Sequence, residues 1–324
     1  LYDILLKPIE KELNAANAKT IIWSLDGKLR YIPPAALSPD GKTYLLQKYR
    51  NAVITPRTRE DLSNSKKDWF ALGVGVSQAL TIANPDKPER KINFAALPGT
   101  KLELETIVKT DNAPNEKGIL PGNRLIDAEF NYKNFTNSLS REAPDGSGKF
   151  SLVHIASHFR LGNSWANSFL LLGDGQILTL EKIINSPEIS FGKVELVTLS
   201  ACNTAYADGS NGQEVDSLAG TIQAKSGKSV LATLWSVVDE STPVLMSEFY
   251  RVRKSNPGIS KVEAMQKAQL EMLSGKLRPS DEYVDKLAGI FEEDNSDRTF
   301  EFDRAKPFAH PHFWSPFVLI GNWR

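Results

Sequence analysis

The chain has 324 residues, 41% of them hydrophobic and 24% charged, the balance of an ordinary soluble protein able to bury a sizeable core. Lysine plus arginine and aspartate plus glutamate both total 39, so no global field draws the chain to nucleic acid or to an anionic membrane. A single cysteine excludes an internal disulfide framework and a cysteine-based zinc site, no apolar run approaches the roughly 20 residues that span a bilayer, and no basic-then-apolar leader is present, so a reducing, cytoplasmic setting is expected.

Leu1, Leu5, Ile9 and Leu13 recur every four positions and predict an opening helix. The pattern is already running at Leu1, which is not methionine, so the chain reads as part of a longer polypeptide. Thr20 to Leu25, the Asp26-Gly27 pair and Lys28 to Ile32 predict a hairpin, since Asp-Gly supplies the positive φ of a tight turn; Pro33 and Pro34 end it. These parts form the expected N-terminal helix-plus-hairpin subdomain, 1–67, followed by the main domain, 68–324.

After the polar stretch Arg59 to Lys67 the pattern changes to short, nearly continuous apolar runs separated by helical segments, which is how a parallel sheet with crossover helices reads. The runs are Trp69 to Val74, a weaker one at Gly118 to Ile126, Phe150 to Ile155, Val194 to Leu199, Ser229 to Trp235 and Phe317 to Ile320. Helices are predicted at about 100–111, 129–140, 214–226, 241–254 and 260–274, the last opened by a capping box of Ser260 and Glu263. Two apolar runs around Gly173-Asp174-Gly175 predict a hairpin over Phe169 to Thr179, and the acidic stretch 276–308 reads as a solvated surface loop. The expected fold class is therefore α/β, a mostly parallel twisted sheet flanked by helices.

In such a sheet reactive groups gather where strands end at their carboxyl edge. Two runs end in reactive side chains, Val153-His154-Ile155-Ala156-Ser157-His158 and Thr198-Leu199-Ser200-Ala201-Cys202-Asn203. If these strands are parallel neighbours, His158 and Cys202 emerge together, as a thiol and its base require. An imidazolium beside a thiol raises the thiolate population, the nucleophilic form. Cys202 would attack a scissile carbonyl, N–H groups near Cys202 and at Phe159 would hold the oxyanion, and His158 would protonate the leaving amine. Without this context a lone cysteine in an apolar run packs as a small hydrophobe. His154 and His158 also have i, i+4 spacing for zinc, but that pairing needs a helix, and Phe150 to Ile155 reads as strand. His310 and His312 sit beside Pro311 and Trp314 before the final strand, where packing or loop hydrogen bonding is expected. No cofactor is called for, and no phosphate-cradling glycine motif supports a nucleotide-binding domain.

The sequence resembles the CHAT domains, named for caspase and HetF association with TPR repeats and related to caspases and separases. The blocks that carry the resemblance are Asp26-Gly-Lys-Leu-Arg-Tyr-Ile-Pro33, Val153-His-Ile-Ala-Ser-His158, Leu199-Ser-Ala-Cys-Asn-Thr204, Ser229 to Val237 with Asp239, and His310 to Gly321. The resemblance implies a caspase-like sheet, endopeptidase cleavage of a specific protein substrate by a cysteine and histidine pair, and tetratricopeptide repeats in the same or a partner chain. Family members place glycine after the histidine, where this chain has Phe159, and continue after the cysteine through a glycine and glutamate pair, where it has Gly212-Gln213-Glu214. Phe159, Ser200, Glu214 and Asp239 are the expected oxyanion and substrate-binding residues beside Cys202 and His158. Ser200 stands where relatives preferring a basic residue carry an acid, so that preference is not supported there. The alternative is a catalytically silent scaffold or regulatory module, for which a phenylalanine at 159 is the chief argument.

Overall fold

The structure is a computed structural model that describes residues 1–56, 58, 62, 68–110, 118–142, 149–162, 164–200, 213–235, 240–293 and 300–324, the side chains of 213–217 and 292–293 apart. The strands are β1 (Thr20–Trp23), β2 (Arg50–Val53), β3 (Ala71–Gly75), β4 (Leu80–Asn84), β5 (Lys87–Phe94), β6 (Val108–Thr110) and β7 (Leu120–Ile126), then β8 (Leu152–Ala156), β9 (Phe159–Arg160), β10 (Phe169–Leu171), β11 (Ile177–Thr179), β12 (Leu196–Leu199), β13 (Ser229–Thr233) and β14 (Phe317–Gly321). The helices are α1 (Tyr2–Leu5), α2 (Glu10–Ala15), α3 (Pro98–Ile107), α4 (Tyr132–Leu139), α5 (Leu180–Asn185), α6 (Gln213–Ala224), α7 (Ser241–Ser255), α8 (Lys261–Leu273), α9 (Asp281–Glu293) and α10 (Pro311–Trp314).

Among the described residues nine strands form one sheet in the order β1-β2-β14-β13-β12-β8-β3-β7-β6. The six from β13 to β6 are parallel to one another; β14 is antiparallel to β13, and β2 and β1 run with β14. Register explains the continuous apolar runs. Leu72, Val153, Val197, Val230 and Ile320 form one row across the sheet, and Gly73, His154, Thr198, Leu231 and Leu319 form the next, pointing to the opposite face. Each face is covered. The first row lies in a core shared with Phe159, Leu170, Ile183 and Ile222, the second beside one shared with Tyr250, Met265 and Trp314. Residues of both parities must then be apolar, as parallel sheets require. The mostly parallel, helix-flanked α/β sheet is the expected one.

Three expectations need correction. The opening helix is broken into α1, a 3-10 turn at Lys7–Ile9 carrying Pro8, and α2, and its buried residue is Leu6 while Leu1 and Ile9 are exposed. The hairpin over 20–32 does not form. β1 pairs in parallel with β2 on the main sheet, and Asp26 instead caps a 3-10 turn by accepting from the Gly27 amide at 2.8 Å. Both strands of the N-terminal segment thus belong to the main sheet, with β1 at its edge and β2 between β1 and β14, while Leu6, Ile21, Leu37, Leu45 and Tyr49 make a small core of their own. The acidic stretch is not all loop: α9 buries Tyr283, Val284, Leu287 and Ala288. The hairpin of β10 and β11 is present, with Gly175 at φ +81°, and β9 joins it as a third strand.

Candidate active site

β8 and β12 are parallel neighbours, with Leu199 opposite Ile155. His158 is three residues beyond Ile155, and Cys202 is three beyond Leu199. Cys202 itself, residues 206–212, Asp239 and the side chain of Glu214 lie outside the described residues. What is described is the histidine, Phe159, Ser200 and the elements that hold them.

His158 lies in the turn between β8 and β9. Ser157 Oγ donates to the Leu171 carbonyl at 2.7 Å, and the Leu171 amide donates to the His158 carbonyl at 2.9 Å, so the turn is stitched to β10. The imidazole Nε2 lies 2.9 Å from the carbonyl oxygen of Ala95. A carbonyl only accepts, so Nε2 carries a proton, and in the neutral ring the lone pair is on Nδ1. The Phe94 ring packs against the imidazole at a centroid distance of 5.1 Å. Burial pushes the His158 pKa below its ordinary value, partly offset by the bond to Ala95.

Both Phe94 and Ala95 belong to the end of the β4–β5 hairpin, an element the sequence pattern does not announce because most of β5 is exposed. The hairpin lies on the small sheet through Ile82, Ile92 and Phe94 against Phe169, Leu171 and Ile177. Its turn is latched there as well: Asp86 pairs with Arg160 at 3.5 Å and accepts from Asn167. His158 is consequently 3% exposed, buried beneath the end of that hairpin.

Phe159 does not crowd the site. Its side chain is 3% exposed and belongs to the core cluster of Val153, Ile155 and Leu170. Its backbone alternates the other way. Because the pair His158 and Leu171 is joined by a hydrogen bond across β9 and β10, the next pair, Phe159 and Leu170, is of the open kind, with N–H directed away from the partner strand. A bulky residue after the histidine is therefore compatible with an available amide at that position.

His154 is a different kind of histidine. It is fully buried in the middle of β8, with Nδ1 2.9 Å from Tyr250 Oη on α7 and Nε2 3.0 Å from Glu103 Oε1 on α3. Tyr250 donates onward to Thr198 Oγ1 at 2.7 Å, and Ser200 Oγ donates to Glu103 Oε2 at 3.1 Å. Burial pushes the Tyr250 phenol far up, so it stays protonated. The sequence reading missed Glu103, Tyr250 and Thr198. A signal for Glu103 existed: Thr100, Glu103, Leu104 and Ile107 are spaced i, i+3, i+4, i+7 on the buried stripe of α3, and an acid on such a stripe needs a partner. At the same end of the sheet Trp235 follows β13 and stacks on His312 at 6.2 Å, and the His310 ring accepts from the His312 amide at 3.1 Å, which are the packing and loop roles expected of those histidines.

Among solved structures the chain is similar to one in the Saccharomyces cerevisiae separase–securin complex, with 12% identity and a TM-score of 0.41, over 74% of this chain and 13% of that one. The chain thus spans a small part of the protein it matches. No curated protein sequence matches it. The model of the CHAT domain family matches residues 1–322, and the chain belongs to that family.

Proposed function

We propose that this CHAT domain is a cysteine endopeptidase with Cys202 as nucleophile and His158 as base. The observation that carries the reading is the register of β8 against β12: equal three-residue extensions from one rung lead to the histidine and to the chain's sole cysteine. Adjacent strands lie about 4.8 Å apart, so the two extensions start within reach of each other. The second support is the imidazole, whose Nε2–H is committed to Ala95 and whose Nδ1 is the nitrogen left to take a proton.

In this reading Nδ1 accepts the Cys202 thiol proton and the sulfur attacks the scissile carbonyl carbon. Charge builds on the carbonyl oxygen, where the Phe159 amide and an amide near Cys202 donate to it. The C–N bond breaks, the imidazolium gives its proton to the departing amine, and a thioester remains. Water attacks the thioester while Nδ1 accepts its proton, releasing the acid and restoring the thiol. Lowering of the His158 pKa by burial favours the neutral, proton-accepting ring. The substrate is a protein, recognised partly by residues after Cys202, including Glu214 and Asp239, and docked by surfaces such as tetratricopeptide repeats. Phe159 was the chief argument for a silent scaffold, and the packing of its side chain in the core supports the protease reading over that alternative.

Mass spectrometry of new protein termini in a lysate treated with wild type or with Cys202→Ala tests the reading. New termini that appear with wild type and vanish with the variant are expected; identical terminus sets would overturn it.

A further inference from the structure

The network around His154 is closed on every side but one. Gly73 faces His154 across β3 and β8, and a Cβ there would lie 3.1 Å from Leu104 and Val108. At Gly75 a Cβ would meet Thr100 and the Ala156 carbonyl at 2.6 Å. The bare backbone at these two positions lets α3 settle onto the sheet, which brings Glu103 down to the imidazole. From the other side α7 brings Tyr250. Four members, His154, Glu103, Tyr250 and Thr198, are buried, and none of their polar side-chain atoms lacks a partner. A satisfied buried polar network holds its members in one geometry and adds little net stability over an apolar filling.

The open side is Ser200, half-buried, the first residue after β12 and two before Cys202. Its amide continues the ladder by donating to the Ile155 carbonyl at 2.8 Å, and its hydroxyl turns inward to Glu103. A serine leaving a strand normally turns its hydroxyl to water or to a nearby backbone group. Here it reaches a carboxylate that is itself fixed by an imidazole with both nitrogens occupied.

We propose that Glu103 is a positioning residue for the nucleophile: its two carboxylate oxygens tie His154 to Ser200 and so set the direction in which the chain leaves β12 toward Cys202. The inference rests on the reading of Cys202 and His158 as a reacting pair. It assigns Ser200 to supporting that turn, and not to a substrate pocket, since its hydroxyl faces into the fold. Glu103 acts through Ser200 and touches no substrate.

The chain has one thiol, so alkylation by iodoacetamide reports Cys202 alone and needs no identified substrate. Rates are measured from pH 5 to 9 on wild type, Ser200→Ala, Ser200→Thr, Glu103→Gln, Tyr250→Phe and His158→Ala, each checked by circular dichroism and thermal melting. In wild type the thiol is expected to react well below the pH range of a free cysteine, and His158→Ala is expected to remove that low-pH reactivity. Ser200→Ala and Glu103→Gln are expected to lower the low-pH rate about tenfold or more, as small misplacements of reacting groups do. Ser200→Thr, which keeps the hydroxyl, restores it. Tyr250→Phe lowers the melting midpoint while leaving the pH profile in place, which separates positioning from bulk stability. If wild type is activated but folded Ser200→Ala keeps the same profile, the inference is overturned and the reacting pair stands. If the wild-type thiol titrates as a free cysteine and His158→Ala changes nothing, the reading of the pair fails, and the inference with it.

Discussion

His154 and His158 stand four residues apart on one strand and its extension, and they live in opposite chemistry. The middle of β8 gives His154 two side-chain partners and no exposure, so neither nitrogen is left for a proton-transfer role. Beyond the end of β8, His158 is held by one main-chain carbonyl and one aromatic ring, with Nδ1 uncommitted by the Ala95 bond. In the proposed reading the histidine with one nitrogen left over, His158, is the base, and the one with both nitrogens fixed, His154, is structural.

Several changes would break or sharpen that contrast. Cys202→Ala carries the largest expected effect, complete loss of new termini with the fold unchanged by circular dichroism. Tyr250→Phe should act on stability alone: it strands the His154 Nδ1 and Thr198 Oγ1 and is expected to cost about 1–3 kcal/mol by chemical denaturation, with turnover within a few-fold of wild type. Phe94→Ala removes the ring against His158 and loosens the segment that presents the Ala95 carbonyl, so kcat is expected to fall about tenfold with little change in KM.

The pH dependence follows from the lowered His158 pKa. Without the thiol, in Cys202→Ala, the His158 ring signals followed by NMR should titrate below 6.5, its ordinary value. A folded pKa below the unfolded one means that the unfolded chain takes up the proton first. The His158 contribution to stability is then present above pH 6.5 and is lost as pH falls through that value toward the folded pKa. A shallower slope of stability between pH 7 and 5.5 in the His158→Asn, Cys202→Ala double variant than in Cys202→Ala would isolate that contribution from that of His312, whose pKa burial also lowers. The smallest effect is expected for Asp86→Ala. Its pair with Arg160 is partly exposed and 3.5 Å long, so well under about 1 kcal/mol should be lost, with a few-fold drop in kcat if the hairpin latch matters to His158.

The sheet was legible because both of its faces are buried, which turns β3, β8, β12, β13 and β14 into uninterrupted apolar runs. His158 and Cys202, the proposed pair, could be picked out because they follow two of those runs directly. The β4–β5 hairpin was not, since β5 is mostly exposed and polar and its one decisive atom, the Ala95 oxygen, belongs to a backbone that any residue supplies. α9 was hidden by its acidic face, although Tyr283, Val284, Leu287 and Ala288 recur at helical spacing. Asp26-Gly27 misled in the other direction: the pair that makes a hairpin turn serves equally to cap a 3-10 turn, and pairing of β1 with β2 decided between them. Glu103 meets His154 across 51 positions of sequence, a contact created by helix docking.

The contrast between the two histidines is tested most directly by measuring turnover of an identified protein substrate and thermal stability side by side for His158→Ala and His154→Ala. The account predicts that His158→Ala loses roughly a thousandfold in kcat/KM while staying folded with a modestly lower midpoint, since it removes the base and one buried ring. His154→Ala is expected to lose about 2–4 kcal/mol of stability, because Glu103 and Tyr250 are left unpaired in the core, and to retain measurable turnover wherever it remains folded. Near wild-type turnover in His158→Ala, or complete inactivity of a folded His154→Ala, would contradict it.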